Sequence, residues 1–131
     1  MKDNYRGIKV SLSKVEFEYI DTKYMGIIDI DAIDSVDVIE IGDNDIALKI
    51  SRDLKFKPIN VATIKVECMV SLRINSLISK EQFIKDIKKG MGILNAAFSK
   101  ISLTISEITN NSSLGALITP PTYDINNIKI Y

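Results

Sequence analysis

The chain has no histidine, no tryptophan, one cysteine and three prolines among 131 residues, and its seventeen basic residues balance its seventeen acidic ones. Without histidine, Cys/His and Ser/His/Asp nucleophilic constellations cannot be assembled, so catalysis by the commonest routes is excluded. The lone Cys68 rules out an internal disulfide; it lies in the alternating run Ile64, Val66, Cys68, Val70, Leu72, Ile74 and reads as a small buried hydrophobe. Zero net charge and the lack of a Lys/Arg run remove the basic stripe that phosphate neutralisation requires, which argues against nucleic-acid binding. No stretch approaches the ~20 apolar residues of a membrane span, and the opening MKDNYRGIKV lacks a signal peptide's apolar core, so a cytoplasmic protein is expected. Gly90 and Gly92 in KKGMGIL match neither phosphate-cradling glycine pattern, and no cofactor is called for.

What is present is the composition of a packed globular chain, 46% hydrophobic and 26% charged. Its length suits one domain over residues 1–131 that buries about two thirds of its unfolded surface. Asp29, Asp31, Asp34 and Asp37 cluster in IIDIDAIDSVD; the first two fall on one side of a strand, opposite Ile28 and Ile30, and read as a solvated face. No glycine stands where a calcium loop needs its turn, so no metal is expected.

The first half alternates. Ile8, Val10 and Leu12 set one phase and Val15, Phe17 and Tyr19 the other, which predicts a strand with a bulge near Ser13 and Lys14 and a buried face that swaps partway. Residues 27–42 make a second strand, ended by the turn-forming GDND at Gly42–Asp45. Ile46, Leu48 and Ile50 begin a third, continued through Leu54 and Phe56 after a phase change at Arg52 and Asp53. Val61–Ile74 gives the cleanest alternation of all. Short turns between successive strands predict a four-stranded antiparallel meander over residues 8–75.

The second half is helical over 79–111. Ser79 with Gln82 forms a capping-box pattern, and the glycines at 90 and 92 divide a short helix, 80–89, from a long one, 93–110. Ile87, Met91, Leu94, Phe98, Ile101, Ile105 and Ile108 fall on one face at alternating spacings of four and three. That stripe suits either cover for the sheet or a seam between subunits. Asn110–Ser113 stop the helix, and an apolar loop over 112–122 follows, with Leu114, Leu117 and Ile118 leading into Pro120 and Pro121. An apolar loop wants a partner surface. INNIKIY at the end fits one helical face or a strand equally. Sheet followed by helices is the α+β order.

These residues together resemble the bacterial export chaperone SecB and its relatives. ISEITNNSSLGALITPP is similar to that family's helix end and proline-closed loop; LSKVEFE resembles its first strand and VEC its fourth, in colinear order over about residues 8–124. Ser99 and Lys100 stand where the family has Pro-Tyr, Ser102 where it has an arginine, and Gly115-Ala116 where it has Pro-Pro or Pro-Gln. The resemblance implies a SecB-like domain with a second helix at its end. It implies a homo-oligomer, dimer or tetramer, that holds unfolded polypeptides in apolar grooves without nucleotide. Groove residues carried over are Leu114, Leu117 and Ile118 from the proline loop, with Tyr24 and Met25 from the first connection. Glu18 and Glu67 match the acidic positions that dock the translocase motor SecA, while Lys14 stands where an acid is expected.

The reading that follows is a holding chaperone, not an enzyme, for exported proteins or for an aggregation-prone antitoxin. The alternative is an adaptor of the same fold, phage-derived or associated with a toxin–antitoxin pair, that grips one dedicated partner.

Overall fold

The computed structural model describes residues 4–20, 23, 26–89, 92, 94–110, 116–124 and 127–131. Five strands, β1 (Tyr5–Tyr19), β2 (Asp29–Ile41), β3 (Asp45–Lys57), β4 (Ala62–Ile74) and β5 (Lys129–Ile130), and two helices, α1 (Lys80–Lys88) and α2 (Asn95–Thr109), follow in the order β1-β2-β3-β4-α1-α2-β5. The α+β class holds, but the sheet is mixed and is not a meander: its strand order is β1-β4-β3-β2-β5. β2, β3 and β4 are joined by short turns and pair antiparallel, whereas β1 pairs with β4, a Greek-key arrangement. The connection after Tyr19 therefore crosses the end of the sheet, past β4 and β3, to reach β2. β5 lies parallel on the outer edge of β2, which settles the last segment as a strand where the family resemblance implied a helix.

β1 carries the expected bulge. The register steps from Leu12↔Cys68 to Lys14↔Glu67, leaving Ser13 over. The predicted swap of faces does not occur, because the extra residue absorbs the offset: Leu12 and Val15 both pair with core residues of β4, Cys68 and Val66. In β3 the phase change expected at Arg52 and Asp53 is likewise absent. Ile46, Leu48, Ile50, Arg52, Leu54 and Phe56 are all buried on one unbroken face, with Arg52 in an apolar row.

The helical stripe covers this face. Ile87, Leu94, Phe98, Ile101 and Ile105 are buried and Ile108 packs beside them, with α2 lying over β4, β1 and β3, so these residues of the stripe are core and not a seam between subunits; Met91 lies outside the described residues. Ser79 caps α1 by accepting from the Gln82 amide at 3.1 Å, as its sequence foretells. Between the helices Gly92 adopts φ +72°, a conformation that favours glycine.

At the start of β1 the buried Tyr5 hydroxyl donates to the Asp86 carboxylate of α1, which also accepts from Gln82 Nε2 at 2.9 Å. Burial, then the Asp86 hydrogen bond and charge, push the Tyr5 phenol well above its ordinary value of 10. The unfolded chain therefore loses this proton first, and the stabilisation is fully present below pH 10 and falls as pH rises beyond it. Urea unfolding followed from about pH 8 to about pH 11 should show a shallower alkaline decline in Tyr5→Phe than in the parent, and equal slopes would contradict the assignment.

Candidate functional site: an apolar loop clamped onto the sheet and the open ends around it

Arg52 is 1% exposed and its guanidinium uses every donor it has. Nε and Nη2 bind Asp34 Oδ1 and Oδ2 at 2.7 and 2.8 Å, a bidentate pair formed with its directly opposite residue on β2. Nη1 donates to Thr119 Oγ1 at 2.9 Å and to the Pro120 carbonyl, and Nη2 donates to the Thr122 carbonyl at 3.1 Å. The guanidinium carbon sits 5.4 Å from the centre of the Phe98 ring, in cation–π range. One side chain thus ties β2, α2 and the proline loop to β3.

The loop lies along α2 in the opposite direction. The Leu117 amide donates to Thr109 Oγ1 at 2.9 Å, Ser102 Oγ donates to the Thr119 carbonyl at 2.6 Å, and Ser99 Oγ donates to the Pro121 carbonyl at 3.3 Å. Ser99 and Ser102, two positions where the chain departs from the SecB pattern, are therefore the helix's grips on the loop. Beyond the prolines, Tyr123 packs against Phe98 with the rings tilted by 40° and their centres 5.4 Å apart, and donates its hydroxyl to the Ile87 carbonyl at 3.1 Å.

The clamp sorts the loop's apolar residues. Leu117 turns inward against the core, while Ile118 is 82% exposed. Leu114, Tyr24 and Met25 lie outside the described residues. The residues that flank Tyr24 and Met25 are informative, because Tyr19, Ile20, Ile27, Ile30 and Ile59 are all exposed. Register puts them at one end of the sheet: Tyr19 faces Ala62, the Ile20 amide bonds the Val61 carbonyl at 2.9 Å, and Ile30 faces Phe56. That apolar end was not singled out from the sequence, although Ile27, at 85% exposure, adjoins the first connection that was.

Glu18 and Glu67 lie on the other, uncovered face of the sheet. Glu18 is exposed opposite Thr63. Glu67 keeps only 12% of its side chain exposed, 3.5 Å from Lys65 Nζ and directly opposite Lys14. Lys14 pairs with Glu16 at 2.8 Å, and that contact raises the lysine and lowers the glutamate. The surroundings of Glu67 therefore alternate in sign. On β2, Asp31 reaches Lys57 at 3.1 Å and Asp37 reaches Lys49 at 3.9 Å, so that with Asp34 on Arg52 three of the four clustered aspartates each meet a separate cation. Among the described residues no group of His, Cys, Asp or Glu could hold a metal ion. Cys68 is buried, and burial pushes its thiol up, against a smaller opposing pull from Lys100. No helix among the described residues is long and apolar enough to cross a membrane.

Arg52→Met leaves the nearly buried Asp34 carboxylate without its cation and two loop carbonyls without donors, and should cost about 3–5 kcal/mol in urea unfolding. Arg52→Met combined with Asp34→Leu should recover much of that loss; a single substitution costing under about 1 kcal/mol would mean that the pair behaves as a surface contact.

No family model and no curated protein matches the chain. Solved structures do. The Mycobacterium tuberculosis SecB-like chaperone Rv1957, in complex with a ChAD peptide from the Rv1956 HigA1 antitoxin, superposes with a TM-score of 0.66 over 92% of this chain and 88% of that one, at 14% identity. A Streptococcus agalactiae protein of unknown function covers 88% of this chain and 99% of its own, with a TM-score of 0.48 and 6% identity. At 14% identity the first likeness is one of architecture, and the mixed sheet with its two helices is a SecB-like fold.

Proposed function

We propose that this chain is a SecB-like holding chaperone that works in the cytoplasm as a homo-oligomer and captures unfolded polypeptide on apolar surface. The observation that carries the reading is the exposed apolar end of the sheet formed by Tyr19, Ile20, Ile27, Ile30 and Ile59. Apolar side chains exposed along one end of a sheet offer the kind of surface a holdase uses. In this reading the capture surface includes Tyr24 and Met25 in the adjoining connection, and Leu114, Leu117 and Ile118 in the clamped loop. Ile118 presents the exposed side chain there, and Leu117 anchors the loop to the core. A second copy would be received along β1, whose outer edge has no strand partner among the described residues and whose Ile8, Leu12 and Val15 are exposed. No catalytic group enters this mechanism.

A second reading has its own support. The neighbour of known structure holds a peptide from an antitoxin, which favours a dedicated client over general export traffic. An adaptor gripping one partner through the same surface follows from that. SecA docking is the weaker branch, because Glu67 sits among lysines and only Glu18 remains as an exposed acid of the two.

The test is light scattering of a denatured aggregation-prone protein diluted with and without this chain, alongside the chain's own mass by multi-angle scattering. Suppression by a dimer or tetramer at near-stoichiometric amounts is expected, and a monomer without suppression would overturn the proposal. Ile27→Asp and Ile118→Asp change exposed positions and should each shift stability by less than about 0.5 kcal/mol. Ile27→Asp should weaken suppression severalfold, and unchanged suppression would remove the apolar end from the capture surface.

A further inference from the structure

β2 is an edge strand apart from the two residues of β5. The register is Ser35↔Lys129 and Val36↔Ile130, and the backbone bonds beyond it run from the Tyr131 amide to the Val36 carbonyl at 2.8 Å and from the Val38 amide to the Tyr131 carbonyl at 3.0 Å. Ile128 and Ile130, at alternate positions, are half-buried against the core, while Lys129 and Tyr131 are exposed. Before this strand the chain turns, with the Asn127 and Ile128 amides both donating to the Asp124 carbonyl at 3.1 and 2.9 Å. Upstream on β2, from Asp29 to Asp34, the edge has no strand partner among the described residues. Since the Val36 carbonyl and Val38 amide point outward, the period of two points those of Ile30, Ala32 and Asp34 outward as well. A cavity of about 260 Å³ opens beside that stretch, lined by Ala32, Asp34, Arg52, Tyr123, Asp124 and Ile128 among others.

We propose that residues 128–131 are a displaceable strap: an internal strand that occupies the edge of β2 in the resting chain and yields to an extended segment of bound polypeptide. The incoming segment would take over the outward groups of Val36 and Val38 and continue along β2 beside the cavity. The strap itself reports the chemistry of its competitor, an extended segment with aliphatic residues at alternate positions like Ile128 and Ile130. Two residues of ladder and two half-buried isoleucines place the strap at the low end of local stability, unlike the clamped loop that precedes it. This rests on the reading that the chain binds extended polypeptide; the strap's opening can be measured without any client.

Two measurements decide it. In hydrogen exchange of the full chain alone, the Val38 amide should exchange far faster than that of Val70 in the central β4, and Tyr131→Pro, which removes the amide donor to Val36, should speed Val38 further with Val70 unchanged. Val38 exchanging as slowly as Val70 would overturn the strap. The second measurement uses a reduced, alkylated and permanently unfolded protein as the probe in fluorescence anisotropy. Tyr131→Pro or Ile130→Asp should tighten its binding about threefold to tenfold, since a closed strap lowers the competent fraction. Ser35→Cys with Lys129→Cys, oxidised across the register pair, should weaken binding, and reduction should restore it. Equal binding by the oxidised and reduced forms would overturn the strap while leaving the chaperone reading intact; no binding by any form counts against the chaperone reading, and the exchange rates alone then decide.

Discussion

A guanidinium carries five N–H donors and no acceptor, so it enters a core only where acceptors wait for all of them. Arg52 meets that condition with the two oxygens of Asp34, the Thr119 hydroxyl, and the carbonyls of Pro120 and Thr122. The dependence runs both ways. The sheet cannot close over Arg52 unless β2 delivers Asp34 opposite it, and the proline loop has two carbonyls that this cation satisfies. Replacing such a pair by apolar residues is often tolerated, whereas halving it is costly, so its value lies in specifying where the loop goes.

Everything around the loop follows from that position. Phe98 gives the guanidinium a ring to lie on, Tyr123 packs at a tilt against the same ring, and Ser99 and Ser102 hold the loop's carbonyls along α2. With Leu117 drawn inward and Ile118 left outside, apolar surface is displayed on a fixed frame and not on a slack one. The uncovered face of the sheet has the opposite character, with lysines set beside glutamates and aspartates. The molecule thus separates a covered apolar face with exposed aliphatic residues at its end from a charge-balanced open face.

Most local features were legible because each has a short-range cause. The bulge at Ser13, the Ser79 cap, the division of the helices and the end of α2 at Thr109 all come from neighbours in sequence. Strand order was not, since short turns argue for a meander, whereas the Greek key is made by the β1–β4 ladder, which pairs residues far apart in the sequence. Arg52 shows how a local reading goes wrong. An arginine at an even position of Ile46–Phe56 looked like a break in phase, although the alternation itself never breaks; the missing information was Asp34, eighteen residues away. The strand at Lys129–Ile130 was open between two periodicities, and the free edge of β2 resolved it. The exposed isoleucines at the sheet's end carry no joint signal in the sequence because they come from the β1–β2 connection, the start of β2 and the β3–β4 turn, which only the fold brings to one end.

A buried Arg52 guanidinium that is fully engaged and fixes the proline loop must show in its own side-chain resonances. In a ¹⁵N–¹H spectrum of the three arginines, Arg52 should show individually resolved, slowly exchanging Nη protons, with Arg6 and Arg73 averaged by rotation in solvent. An Arg52 signal averaged like those of the surface arginines would contradict the clamp and the loop placement built on it.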